Sequence, residues 1–418
     1  MDRRTPEAGL SQRMKRVALC LQATLLFFGS AVAAHAHEPV GHDAVGATVS
    51  ALPTGDLGVV IERATGSVLL VAHSQPRIIK RLEGLGDLSH ASVVFSRDQR
   101  YAYLFGRDGA LTQIDLLTQQ VKKRVAQATN SIGGAVSSDG KLVVAQNYAP
   151  GGIKAFDAET LALVAEIPAL PGASGVPSKV VGLADLPGRR FAYALFDANA
   201  LCLTDLSNLA QPKTECHLTG KQPYDGLVSN DGRFYLAGLF GEDGIAFYDD
   251  LYPERGVHKI LAGYGRGEQL LPVYKMPHLR GWAIAGDLAF LPAIGRHEVL
   301  VVDTRTWQEV GRVPVKGQPV FAVARPDGRE VWVNFAFPDN GWVQVIDRKT
   351  LAVTHTFSPG KAVLHLEFTP KGDQVWISAR DSNAVVVYDT ATKTEVARLP
   401  ARAPSGIFFT YRAALFGR

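Results

Sequence analysis

Between residues 89 and 399 the chain returns seven times to one pattern. An apolar run meets a turn near Asp-Gly, a second apolar run follows, and a V-x-V-x-D segment ends in a Thr-containing turn. SHASVVFSRDQRYAYLF (89–105) leads to ALTQIDLLTQQ, and NSIGGAVSSDGKLVVAQ (130–146) leads to GIKAFDAET. QPYDGLVSNDGRFYLAGLF, MPHLRGWAIAGDLAFLPAI, QPVFAVARPDGREVWVNFA and AVLHLEFTPKGDQVWISAR repeat the opening. The spacing is about 40 to 48 residues. Within each unit, β-branched and aromatic residues alternate with polar ones between Gly, Pro, Asn and Asp, which reads as four short strands. Four-stranded units at this period predict an all-β fold, a β-propeller. The Asp that ends each V-x-V-x-D segment is expected to cap the turn after it.

The two ends of the repeat region complete the count. GVVIERATGSVLLVAHSQPRIIKRL (58–82) reads as three strands of a unit without its first, and PSGIFFT (404–410) reads as the missing innermost strand. Pairing them in one blade closes an eight-bladed ring and leaves no open sheet edge. A seven-bladed ring decorated by the chain ends is the alternative.

Residues 1–37 differ in kind. Met14-Lys15-Arg16 gives a basic start, Val17–Phe28 a short apolar stretch, and Ala31-Val32-Ala33 or Ala34-His35-Ala36 a small-residue cleavage pattern. This predicts a secretory signal peptide, with Met14 as an alternative start, and hence a periplasmic protein. A membrane anchor is the competing reading. Residues 38–56 then form a linker and 57–418 the propeller. The first 37 residues carry five Lys or Arg and two Asp or Glu, so 39 basic and 38 acidic side chains remain beyond them. That balance gives no support for nucleic-acid binding. Cys202 and Cys216 lie in successive strand-like segments. They either pair, closing a loop of about 15 residues worth roughly 3 kcal/mol, or stay as two buried thiols. The sequence contains no CxxCH for covalent heme and no CxxC pair.

In a propeller the approaches to the innermost strands and the loops between second and third strands share one face. Counting back from the first turn of each unit, His90 precedes Asp98 by eight residues and His278 precedes Gly286 by eight. Four blades separate them, so the two imidazoles are expected to face each other across the funnel. His365 and Asp225 take a deeper register, and Lys179 takes that of His90. The second-to-third-strand loops bring Arg107, Tyr148, Arg296, His297 and Arg380 to the same face, and the longer stretch 261–278 adds Tyr264, Arg266 and Tyr274. Arginines there suit carboxylates, which they grip in bidentate geometry. Taken singly, each of these residues serves structure or is solvated; the symmetric histidine pair argues for a ligand. Opposite walls stand too far apart for joint ligation of one metal ion, since metal–nitrogen bonds are about 2 Å. A flat ligand between the walls, with a histidine on one axial side of its iron, fits better.

DLSHASVVFSRDQRYAYLFGRDG, NSIGGAVSSDGKLVVAQNYAPGG, GKQPYDGLVSNDGRFYLAGLFGEDG, YGRGEQLLPVYKMPHLRGW and GKAVLHLEFTPKGDQVWISARD resemble the NirF family of heme d1 biosynthesis proteins. The resemblance spans the chain beyond its leader. It implies a periplasmic eight-bladed propeller that binds late heme d1 precursors such as dihydro-heme d1. It also implies homodimerisation and contact with cytochrome cd1 nitrite reductase or a NirN-type protein. A dehydrogenase-like or side-chain-modifying step on the tetrapyrrole is the implied activity, with a non-catalytic carrier as the alternative. On this basis His90 and His278 are candidate axial ligands of iron or proton-transfer groups, Asp225 and Tyr148 candidate catalytic residues. Arg107, Lys179, Tyr264, Arg266, Arg296, His297, His365 and Arg380 are candidate ligand-binding residues. No nicotinamide or flavin fingerprint is evident, so a redox step needs the bound iron or an outside acceptor.

Overall fold

The computed structural model describes residues 53–264, 281–293 and 295–417. The leader, most of the linker, and His278, Arg266 and Tyr274 lie outside the described residues. Eight four-stranded antiparallel sheets form the ring of a β-propeller. Blade 1 runs through Ser92–Phe95, Tyr101–Phe105, Ala110–Asp115 and Gln120–Ala126. The innermost strands of blades 2 to 7 are Asn130–Val136, Val180–Leu186, Pro223–Val228, Ala283–Ala285, Pro319–Ala324 and Val363–Phe368. Blade 8 joins Pro404–Phe409 to Leu57–Glu62, Ser67–Ala72 and Arg77–Leu82, with Gly58 opposite Phe409 and Val60 opposite Ile407.

Period-two alternation explains why these sheets stack as a ring. Successive side chains point to opposite faces of a strand, so each inner strand serves two interfaces. Val59 and Ile61 pack toward blade 1 with Val93, Phe95 and Leu104, whereas Val60 packs toward blade 7 with Trp376 and Val385. Eight such clusters lie between consecutive blades, the last linking blade 7 to blade 8. The outermost strands leave this core; Gln120–Ala126 is almost wholly exposed.

The turn chemistry follows the repeat. Asp115, Asp157, Asp205, Asp249, Asp303, Asp347 and Asp389 each accept backbone N–H groups from the turn that follows. Blade 8 has His73 at that position, and Asp56 substitutes by accepting the Ser74 N–H and hydroxyl. Cys202 and Cys216 are opposite one another in blade 3 and form a disulfide.

The C-terminal segment crosses one end of the axis. Thr410–Ala414 forms a short 3-10 helix, and Arg97 of blade 1 donates to the carbonyls of Ala413 and Leu415. Asp185 of blade 3 accepts from both Arg97 and the Gly417 N–H. The tail thus ties blades 8, 1 and 3 together on the face of the first turns.

Candidate functional site

Irregular pairing of the innermost strands builds the central cavity. A bulge leaves a residue without a partner and re-aims it. Six blades carry one, and each places a residue from its register shift in the cavity wall: Ile132, Gly182, Asp225, Val320, Leu364 and Gly406. The cavity measures about 590 Å³, and its described lining comes from blades 1 to 4 and 6 to 8. Gly182 and Asp225 show how tight the construction is. Both have left-handed φ, 64° and 56°, and a Cβ on Gly182 would meet the Asp225 carbonyl carbon at 2.4 Å. Glycine is therefore required there, and Asp225 holds a conformation that neighbouring structure must enforce.

One wall is cationic. His90 stands in the turn before blade 1's first strand, flanked by Arg63 from blade 8 and Arg107 from blade 1. Partial burial, then the charges of Arg107 and Arg63, push the His90 imidazole below its ordinary pKa, against a smaller pull from Asp87. At pH 7 it is neutral and keeps a lone pair. Among the described residues, neither the Arg63 nor the Arg107 guanidinium has a hydrogen-bonded or ion-paired acceptor. Arg107 lies 5.8 Å from the Tyr148 ring centre, while burial and the nearby Arg380 cation weaken Arg63's hold on its proton. Unpaired, half-buried cations at a cavity mouth are a ready seat for carboxylates.

The floor and the far wall differ. The Tyr148 and Tyr224 hydroxyls meet at 3.0 Å. Burial raises both phenols, and the Asp225 carboxylate beside them adds to it. Both keep their protons, and a pair that shares one hydrogen bond has a second O–H to donate. Asp225 is the one carboxylate among the described lining residues. His365 is buried, and its Nδ1 accepts the Ile407 N–H at 3.2 Å. A neutral His365 therefore carries its proton on Nε2 and offers a donor rather than an iron ligand. Blades 6 and 7 contribute an apolar wall, Val320, Phe321, Phe335, Val363 and Leu364, with Phe337 84% exposed beside it. Among the described residues no group of three His, Cys, Asp or Glu is arranged to hold a metal ion.

The cytochrome D1 heme domain family matches residues 52–413. Protein NirF of Stutzerimonas stutzeri is 58% identical over 362 residues, covering 86% of this chain and 93% of its own. NirF of Pseudomonas aeruginosa is 57% identical over 371 residues, covering 87% and 93%. The chain belongs to the NirF family of heme d1 biosynthesis proteins. A solved relative, the dihydro-heme d1 dehydrogenase NirN in complex with DHE, superposes with a TM-score of 0.74 at 28% identity, over 86% of this chain and 76% of that one.

In this NirF-family propeller the sequence-predicted residues divide. His90, Arg107, Tyr148, Asp225 and His365 line one cavity. Tyr148 does so from within the strand Leu142–Ala149 and not from a loop. The others are held elsewhere. Tyr264 is buried between blades 4 and 5, donates to the Pro292 carbonyl at 2.7 Å and meets Trp282 edge-on; it is a core residue. Lys179 lies over the Phe196 ring and pairs with Asp197 at 3.4 Å. Arg296 is exposed 3.7 Å from Glu298, and His297 is exposed beside it. Arg380 is bound by its neighbour Asp381 and reaches the site only through its effect on Arg63. Sequence reasoning missed Arg63, Tyr224 and Phe337. Arg63 directly follows its second strand as Arg380 does in blade 7, so the loop register that found Arg380 contained it.

Proposed function

We propose that this protein binds a late iron-tetrapyrrole precursor of heme d1, such as dihydro-heme d1, in the central cavity. One observation carries the reading: the His90 imidazole stands between two guanidiniums that have no acceptors among the described residues, in a cavity that also has an apolar wall. A flat macrocycle with acidic substituents along one edge makes matching demands. Its carboxylates go to Arg63 and Arg107, its apolar edge to Val320, Phe321 and Leu364, and its iron takes the His90 lone pair. The cavity volume lies within the usual range for such ligands, and the NirN relative solved with DHE supports the assignment.

The protein then carries out a dehydrogenase-like or side-chain-modifying step that prepares the cofactor of nitrite reductase. A dehydrogenation removes two protons and two electrons. Asp225 is placed to take one proton and solvent takes the other, the tyrosine pair donates a hydrogen bond, and a one-electron acceptor of the cytochrome class takes the two electrons in turn. Cytochrome cd1 nitrite reductase and a NirN-type protein are the partners this reading implies, with a homodimer as the working assembly. The Cys202–Cys216 disulfide supports an oxidising compartment, the periplasm.

A second reading, a carrier that delivers the precursor unchanged, is favoured by the raised pKa values of Tyr148 and Tyr224, which leave Asp225 as the one carboxylate base among the described lining residues. Incubation with purified dihydro-heme d1 separates the two. A Soret shift with a change in pyrrole mass identifies an enzyme, and a Soret shift at constant mass a carrier. An unshifted spectrum refutes both.

A further inference from the structure

Beneath the main cavity the axis contains a second space of about 60 Å³, which shares Ile132, Gln146, Gly182 and Asp225 with the cavity above and ends on Arg412. Arg412 enters from the C-terminal tail, and its side chain is 11% exposed. It pairs with Glu367, itself 2% exposed, through Nε at 2.7 Å and Nη2 at 2.5 Å. Burial opposes its charge, but the Glu367 carboxylate more than compensates and raises its pKa. That pairing uses one side of the guanidinium. Among the described residues, Nη1 has no acceptor.

We propose that this chamber is a built water site that links the cavity's carboxylate, Asp225, to the buried guanidinium of Arg412. Nη1 is left to meet solvent, and water is the acceptor the space admits. An internal water needs about 10–15 Å³ of such space, so the chamber holds roughly four. Gln146 and Asp225 supply polar contacts at the upper end and Arg412 at the lower. The tail that carries Arg412 is held to blades 1 and 3 by Arg97 and Asp185. Arg412 is thereby a positioning residue.

The test uses the ligand-free full chain. Magnetic relaxation dispersion of the solvent counts long-lived internal waters, and a crystal structure locates them. The Arg412→Met/Glu367→Gln double variant removes the free donors while leaving no buried charge, so it keeps the fold; thermal unfolding checks this. The expected result is loss of the contribution of roughly four waters in the double variant and its retention in Arg412→Lys, which keeps the charge and the donors. Equal water signals in the wild-type protein and the folded double variant, or an empty chamber in the crystal, overturn the proposal. If the double variant does not fold, the wild-type crystal structure decides alone. Failure of dihydro-heme d1 to bind would remove the tetrapyrrole reading and leave the water count untouched.

Discussion

A neutral histidine beside two arginines is an unusual economy of charge, and its consequences are measurable. The His90 lone pair exists above its lowered pKa and is lost below it. Precursor affinity should therefore be flat above the ordinary histidine value near 6.5. It should fall by up to tenfold per pH unit once the pH drops below His90's own lower value. Arg63 and Arg107 stay charged throughout, and ligand carboxylates protonate only near about 4.3, so the decline between belongs to His90. A Soret titration across pH checks this, and His90→Ala should abolish the dependence together with the axial band. Removing Arg63 or Arg107 as alanine variants should weaken binding by about 1.5–3 kcal/mol each, the worth of a hydrogen bond to a charged group. The stability of the folded chain should change little, because neither guanidinium has a hydrogen-bonded or ion-paired acceptor among the described residues. Of these groups, His90 and Arg107 were legible in the sequence through their register in the repeat. Tyr264 was misread because a tyrosine in a long connection looks the same whether it caps a funnel or fills a core; only the Pro292 carbonyl and Trp282 beside it distinguish the two.

Strands, turns and the turn-capping aspartates follow from alternation and punctuation alone, since each depends on residues a few positions apart. The bulges do not, because a register shift is a property of two strands, and the sequence of one does not contain it. Yet the bulges decide which inner-strand residues face the axis. Gly182→Ala tests how rigidly they are held. A Cβ at φ 64° clashes with the Asp225 backbone, so the variant should lose about 1–3 kcal/mol in urea unfolding. It should also displace Asp225, with any turnover falling more than affinity. Gly311, in an outer strand where an added Cβ would meet only the Leu351 Cδ1 at 3.4 Å, is the control site for the same substitution.

Over the whole ring, the closing blade depends on Glu62. Its buried carboxylate receives Arg81 through two hydrogen bonds at 2.7 and 3.0 Å, the Ser67 hydroxyl, and the Arg402 backbone N–H 340 residues away. Burial alone raises its pKa, but these donors overcome it and hold the group below the usual carboxylate range. The unfolded chain therefore takes up the proton first. The stabilisation is complete above the unfolded value near 4.5 and disappears as the pH falls through the lower folded value. Acid should loosen blade 8 before the other blades, seen as early hydrogen exchange in residues 57–82 and 404–409. Arg81→Ala, which leaves the carboxylate buried and underpaired, should cost about 3 kcal/mol at neutral pH.

The same blade sets the order in which the molecule can be made. Residues 57–82 are among the first described residues to be synthesised, and the strand that completes them, Pro404–Phe409, is among the last. For the whole of translation the early hairpins present a bare inner edge, and no later blade can cover it. A nascent chain in that state is an adhesive ribbon, and every helper or competitor that recognises unpaired backbone has until the final residues emerge to reach it.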